Sequence, residues 1–382
     1  MTKRAALKVL FIVPHPIEGP STRFRVAQFL PYLAQHGIEG HLRPLFGSCA
    51  AAVIYGEGQL VRKVALTLRA AIERLGDVVA AGGYDLVYIL REAFPFGPPL
   101  LERLLARRAG RVIFDFDDAI YVPSTAYRNA LDRLRDFTKP AWLARRADAV
   151  VPGSRHLAEF ARRAGADPER IAILPTVVDT DVFFPDPARR DPDRLTIGWI
   201  GTPRGTSYLH ALRAAMAQVA AECPAARFVF VGAEPFACPG VSVQFPSWQL
   251  EREVADLQSF DIGLMPLADD EEARGKCGFK IIEYMAVGAA VVCSPVGANA
   301  DIVSDGVTGF FADTPESWSN ALLRLARDAE LRTRMGHEGR RVAQCRFSLA
   351  ATAPRLLSVI RAAAAGQKVA IESDVTSAKA GR

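Results

Sequence analysis

Residues 195–209, LTIGWIGTPRGTSYL, decide the fold. An apolar run, Leu195–Ile200, enters Gly201, and Thr206 or Ser207 then caps a helix that reaches Glu222. A strand that ends on glycine and turns directly into a helix is the unit from which parallel sheets are wound. The same alternation continues toward the C-terminus. Strands are expected at Arg227–Val231, Val241–Phe245, Asp261–Met265, Ala290–Cys293 and Gly309–Ala312. Helices are expected at Leu250–Ser259 and Phe279–Val287, and more of them fill most of Pro315–Ala365.

The pattern also runs toward the N-terminus. Lys8–Val13 is a β-branched run bounded by Pro14, as a buried parallel strand would be. Strands are further expected at Tyr84–Leu90, Arg111–Phe116, Ala149–Pro152 and Ile171–Leu174. Helices are expected at Arg23–His36, Leu60–Ala81, Pro99–Arg108, Tyr127–Arg146 and Ser154–Ala164. The segment 184–194, FPDPARRDPDR, has three prolines and no periodicity, and reads as a linker. The fold class is therefore α/β, with two Rossmann-like doubly wound domains facing across a cleft. The first spans 1–183 and the second 195–345. A helix at 346–365 is expected to pack back on the first domain, and 366–382 is expected to be a disordered tail.

Composition narrows the function. The 382 residues carry a net charge of +5, which suits anionic small molecules, and no aromatic-plus-basic nucleic-acid motif occurs. The six cysteines form no CxxC pair and no metal-ligand spacing, so no metal site is expected and reduced thiols in the cytoplasm are the plain reading. The N-terminal apolar run is too short to span a bilayer. Leu60–Leu75, LVRKVALTLRAAIERL, is amphipathic and cationic: either a solvated helix face or a peripheral contact with the inner face of a membrane.

Two stretches carry chemistry. In GWIGTPRGTSYL, Gly201 lets backbone approach a ligand, and the helix that follows offers free N–H groups to phosphate. Arg204 sits in that turn. In 275–294, GKCGFKIIEYMAVGAAVVCS, Lys276 and Lys280 flank Gly278 at a helix start. Glu283 follows Lys280 by one turn among apolar neighbours, where a charge needs a partner. Lysines there suit a pyrophosphate, and a carboxylate one turn deeper suits ribose hydroxyls.

This stretch resembles the donor site of the family 4 retaining glycosyltransferases, which share the GT-B fold. EYMAVGAAVVCSPVG at 283–297, VSDGVTGFF at 303–311, DIGLMPL at 261–267 and LPTVVDTDVF at 174–183 carry the resemblance. KVLFIVPHP, STRFRVAQFLPYL and FDFDDA (114–119) extend it into the first half. The family's Glu–x7–Glu motif places its second glutamate on Glu283 and its first on Gly275, a departure. The resemblance implies a nucleoside diphosphate sugar as donor substrate, retention at the anomeric carbon and no obligatory cofactor. Glu283 would bind ribose. Gly201, Thr202, Gly232, Trp248, Gly278 and Phe279 would line the donor site. Arg204, with Lys276 and Lys280, would neutralise the leaving phosphates.

The first domain would then take the acceptor, a glycan or a lipid-linked molecule. His15, Gly19, Arg23 and Arg25 follow the first strand, and Asp117 and Asp118 follow the strand at 111–116. Asp118 or Asp117 would touch the acceptor hydroxyl. The implied setting is cell-envelope or exopolysaccharide assembly. Two alternatives stay open: a nucleotide-sugar-binding protein without turnover, favoured by Gly275, and a nucleotide-sugar epimerase.

Overall fold

The protein is described by a computed structural model covering residues 6–56, 58–124 and 133–369. The expected start of the helix at 127–132 and all of the expected 366–382 tail beyond residue 369 lie outside the described residues, while Val369 is bonded to the Glu169 carbonyl at 2.9 Å. Two compact units emerge. The first holds 6–123, 133–176 and 352–369, and the second holds Ser124 and 177–351.

The first unit is built on a parallel sheet with strands β1 (Leu7–Val13), β2 (Ile38–Pro44), β3 (Leu86–Leu90), β4 (Val112–Phe116) and β5 (Ala149–Pro152). Their order is β2-β1-β3-β4-β5. The chain winds out from β1 to β2, then reverses through β3, so the switch point lies between β1 and β3. In open parallel sheets ligands bind outside the carboxyl ends of the strands at that point. Val9–Val13 and all of β3 are buried, which explains why their sequences are continuously apolar.

The second unit has β6 (Leu195–Ile200), β7 (Ala226–Val231), β8 (Val243–Gln244), β9 (Ile262–Met265), β10 (Ala290–Cys293) and β11 (Gly309–Phe311). Their order, β11-β10-β9-β6-β7-β8, puts the switch point between β6 and β9. Gly198 of β6 and Gly263 of β9 sit in register there. A Cβ on Gly198 would fall 2.2 Å from the Phe260 ring, and one on Gly263 would fall 2.3 Å from the Tyr284 ring. Gly198 makes room for Phe260, and Gly263 lets Tyr284 lie on the sheet, where its hydroxyl donates to the Leu264 carbonyl (3.2 Å) and accepts from the Ile200 N–H (3.3 Å). That contact fixes the helix Phe279–Ala286 over the switch point.

Several elements differ from expectation. The helix expected over 23–36 is two short helices, Pro20–Arg25 and Leu30–Gln35, with a 3₁₀ turn between them. Pro31 has no N–H to give and its ring crowds the carbonyl of Ala27, so one straight helix cannot pass. The helix to Glu222 likewise passes through a 3₁₀ turn at His210–Leu212. Ile171 makes one isolated bridge to Val150 in place of a strand. Segment 184–194 lies within the second unit: Gln258 donates to the Phe184 carbonyl (2.9 Å), and Arg190 to that of Gly288 (2.8 Å). From Thr352 onward the last helix, Leu349–Ala364, belongs to the first unit. There Arg355 donates to the Ile173 carbonyl (3.1 Å) and Arg361 to that of His36 (2.7 Å).

Candidate functional site

The carboxyl end of β6 delivers Gly201, whose N–H bonds the Val231 carbonyl at 3.0 Å. Thr202, Pro203 and Arg204 follow in an exposed 3₁₀ turn. Gly232, at the end of β7, has φ of +76°, and a Cβ on it would stand 2.2 Å from the Gly201 carbonyl oxygen. Only glycine tolerates both that backbone and that approach. The two strand ends therefore meet backbone to backbone and leave no side chains in the way.

Trp199 lies beneath this turn, 2% exposed. A Cβ on Gly201 would meet its ring at 2.4 Å, and one on Gly205 would meet it at 2.8 Å. The Lys280 ammonium stands 5.5 Å from the centre of the same ring. Cation–π attraction of this kind helps hold a lysine in place. Lys276 is the second cation. Its Nζ lies 3.9 Å from Glu272 and 6.0 Å from the centre of the Tyr208 ring.

Gly278 caps the helix Phe279–Ala286 in the left-handed region, φ +64°. A Cβ there would collide with Ile302 at 2.5 Å, so the position is closed to side chains. The first N–H groups of this eight-residue helix and the two lysines give an anion-attracting corner. Phe279 opens the helix half-buried, and Glu283 is buried, 4% exposed. Burial, with the nearby Glu283 charge adding to it, holds the Tyr284 hydroxyl firmly protonated. Trp248 donates from its indole N–H to buried Glu253 at 3.2 Å, and its Cβ lies 3.3 Å from where a Cβ on Gly232 would stand. Gly275 is buried at the C-cap of a short helix, Glu271–Arg274.

The first unit has its own cluster at the carboxyl ends of β1, β3 and β4. Asp117 is held by Arg91 (2.6 Å) and by the Ser21 hydroxyl (3.0 Å). Burial pushes its carboxyl up, but Arg91, Arg25 and Ser21 outweigh this, and the net shift is downward. Asp118 is more open, with Arg91 at 3.6 Å. His15 turns its carbonyl to the Thr22 hydroxyl (2.8 Å), and a Cβ on Gly19 would strike His15 at 2.6 Å. Arg23 stacks on Phe24, 4.3 Å from the ring centre.

Arg25 corrects the sequence reading. It is 4% exposed and turned inward, with Nη2 at 2.7 Å from Asp115 and Nη1 at 2.6 Å from the Leu174 carbonyl. It locks the helix at 20–25 onto β4, with its guanidinium engaged inside the first unit. Burial works against its charge, but Asp115 and Tyr88 raise its affinity for the proton above the ordinary range. Burial pushes Asp115 up to about 6 against the pull of Arg25. All three aspartates in FDFDD thus lie against arginines, Asp118 the most loosely, and among the described residues no group of His, Cys, Asp or Glu is arranged to hold a metal ion.

Residues 194–328 match the family described as glycosyl transferases group 1, and residues 26–182 match glycosyltransferase family 4. Each half of the chain thus carries a match to a glycosyltransferase family model. Among curated relatives, a D-inositol 3-phosphate glycosyltransferase of Segniliparus rotundus is 28% identical over 56% of this chain and 51% of its own length. One of the same name from Stackebrandtia nassauensis is 30% identical over 55% and 53%. The chain thus spans about half the length of the curated relatives it matches. Solved structures show the fold. Anabaena Alr3699/HepE, in complex with UDP and glucose, superposes with a TM-score of 0.66 at 17% identity, covering 93% of this chain and 99% of that one. Sucrose-phosphate synthase from Thermosynechococcus elongatus gives 0.69 at 17%, covering 94% and 98%. Two parallel-sheet α/β domains of the GT-B type, as expected from the sequence, are the architecture of this chain.

Three residues of these sites escaped sequence reasoning. Trp199 and Tyr208 read as core and helix positions, although the glycines at 201 and 205 hinted that something bulky lay beneath the turn. Arg91 gave no signal. It sits just past β3 with φ of +63°, a conformation rare for residues with a side chain.

Proposed function

We propose that this protein is a retaining glycosyltransferase that moves a sugar from a nucleoside diphosphate sugar to an acceptor hydroxyl. The supporting observation is the corner at the β6–β9 switch point. There Lys280, set over Trp199, stands beside the glycine turn at 201 and the glycine-capped helix start at 278. As the glycosidic bond breaks, negative charge grows on the diphosphate. Lys280, Lys276, Arg204 and the helix N–H groups supply preorganised positive charge for it. Glu283, one turn down the helix, is assigned to the ribose hydroxyls and Trp248 to the wall near the base. In the first unit, Asp118 is assigned to the acceptor hydroxyl because it is the more exposed of the pair and Arg91 grips Asp117 more closely. His15, Gly19 and Arg23 line the same edge.

The names of the relatives fit this reading: one curated group transfers to an inositol phosphate, and one structural neighbour carries UDP and glucose. The six cysteines are free thiols, which suits a cytoplasmic reaction. A role in cell-envelope or exopolysaccharide assembly follows from a glycan or lipid-linked acceptor. The test is incubation with UDP-, GDP- and ADP-sugars and candidate acceptors, following diphosphate release and the anomeric configuration of the product. An inverted product overturns retention. Donor binding with no release under any acceptor supports the binding protein that Gly275 suggests.

A further inference from the structure

The helix Leu60–Ala80 of the first unit is inside out. Its buried face carries Arg74, 1% exposed, which donates to the carbonyls of Val13 (3.3 Å), Arg43 (3.1 Å) and Ala93 (3.0 Å) and pairs with Asp77 (2.8 Å). Its outer face carries Val61, Val64, Leu68, Ile72, Leu75 and Val79, each between 49% and 85% exposed. The Arg74 bonds fix the helix rotation, so this apolar stripe cannot turn inward. The stripe runs along a helix of roughly 31 Å. The helix Leu100–Ala109, which packs against it, exposes Leu100 and Leu104 beside Arg103, Arg107 and Arg108. A contiguous exposed apolar stripe of this size marks an interaction surface.

Charge decides between two occupants. Positions 61, 68 and 75 with 65, 72 and 79 follow a coiled-coil seam, which would suit a second copy. In that pairing Arg62 and Arg69 flank the seam. An antiparallel partner would set arginine against arginine, and a parallel one would bring Val64 and Ala71 to them. The acid on the outer face, Glu73, is already bonded to Arg69 at 2.7 Å. An anionic surface satisfies every one of these arginines. Among the described residues no helix is long and apolar enough to cross a membrane.

We propose that this face docks flat on an anionic lipid bilayer, apolar side chains in the interface and arginines on the headgroups. Because Arg74 ties the helix to the ends of β1 and β3, docking would bring the acceptor-side residues to the bilayer surface. This extension, to an acceptor resident in the bilayer, rests on the proposed function, whereas docking itself does not.

The test is flotation of the full chain with vesicles of phosphatidylcholine alone and of phosphatidylcholine mixed with phosphatidylglycerol. Binding to the anionic vesicles is expected, weakening with salt and at least about tenfold weaker on the neutral ones. The variant L68Q/I72Q/L75Q should lose about tenfold or more in binding while its unfolding temperature holds, since all three side chains are exposed. It should also keep full turnover of a water-soluble acceptor, which separates failure of docking from failure of the transferase reading. No binding to anionic vesicles overturns the proposal, as does binding that survives the triple substitution. A dimer in solution that the same substitution dissociates assigns the face to a second copy instead.

Discussion

The aliphatic end of Lys280 lies against the space where Gly201 lacks a side chain. A Cβ at 201 would stand 3.0 Å from Lys280 Cε and 2.4 Å from the Trp199 ring. The strand end and the helix start are thus fitted to each other through a missing atom. Gly201→Ala must displace a ring packed in the core, at a cost of about 1–3 kcal/mol. The variant should unfold at lower temperature and lose most of its thermal stabilisation by UDP, GDP or ADP. Undiminished stabilisation by the nucleotide that protects the wild type would remove this turn from the donor site.

Lys280 stands over the Trp199 ring in the first turn of the helix, whereas Lys276 lies before the helix with Glu272 at 3.9 Å, so the two lysines should not be equal. Lys280→Ala is expected to lower kcat/KM for the donor about 100- to 1000-fold, the usual loss for one preorganised charge donor. Lys276→Ala should cost less, because Glu272 already shares its charge at 3.9 Å. Steady-state diphosphate release reads both. Equal losses would mean that the pairing with Glu272 has no bearing on the site.

Glu283→Gln keeps the shape of a buried side chain and removes its charge. Donor-dependent turnover should vanish while the far-ultraviolet circular dichroism and the unfolding cooperativity persist. Nucleotide affinity and rate both unchanged in this variant would overturn the ribose assignment.

The sequence showed the second unit more clearly than the first, for physical reasons. Strands β9 and β10 are buried throughout and read as unbroken apolar runs, and β6 and β7 are broken only by Thr196 and Arg227 near their starts. The glycines at 201 and 278 mark places where an added side chain would collide, with Trp199 and Ile302 respectively. Strand β2, an edge strand containing Glu39, Gly40, His41 and Arg43, is half solvated and escaped notice. Arg25 looked like a binding residue because its partner, Asp115, lies 90 residues away in the chain. Exposed and buried arginines look alike until the fold brings a carboxylate to one of them.

That buried pair makes a prediction in pH. Asp115 has its folded pKa raised to about 6 from an ordinary 3.8, mainly by burial. A raised carboxyl pKa means the folded state binds the proton more tightly than the unfolded one. Its stabilising contribution is therefore full below about pH 4 and is lost as pH rises through 6, a change of about 3 kcal/mol. Asp115→Asn cannot titrate. The stability difference between wild type and variant, from chemical denaturation, should shrink by that order between pH 4 and pH 7. A difference independent of pH would mean that Asp115 stays ionised throughout.

Arg91 combines strain with position. It follows β3 at the first unit's switch point, in left-handed backbone, and it holds both Asp117 and Asp118. A non-glycine residue in that region costs on the order of 1–3 kcal/mol, tolerated where function demands it. Arg91→Ala keeps the strain and loses the ion pairs, whereas Arg91→Gly loses both. The glycine variant should therefore be more stable than the alanine variant by about 1 kcal/mol. Both should lose acceptor-dependent turnover to a similar degree while nucleotide affinity, which we propose is set in the second unit, stays as in the wild type. If either variant turns over acceptor normally, the aspartate pair and its arginine are only a fold contact, and the acceptor edge must be sought elsewhere on the first sheet.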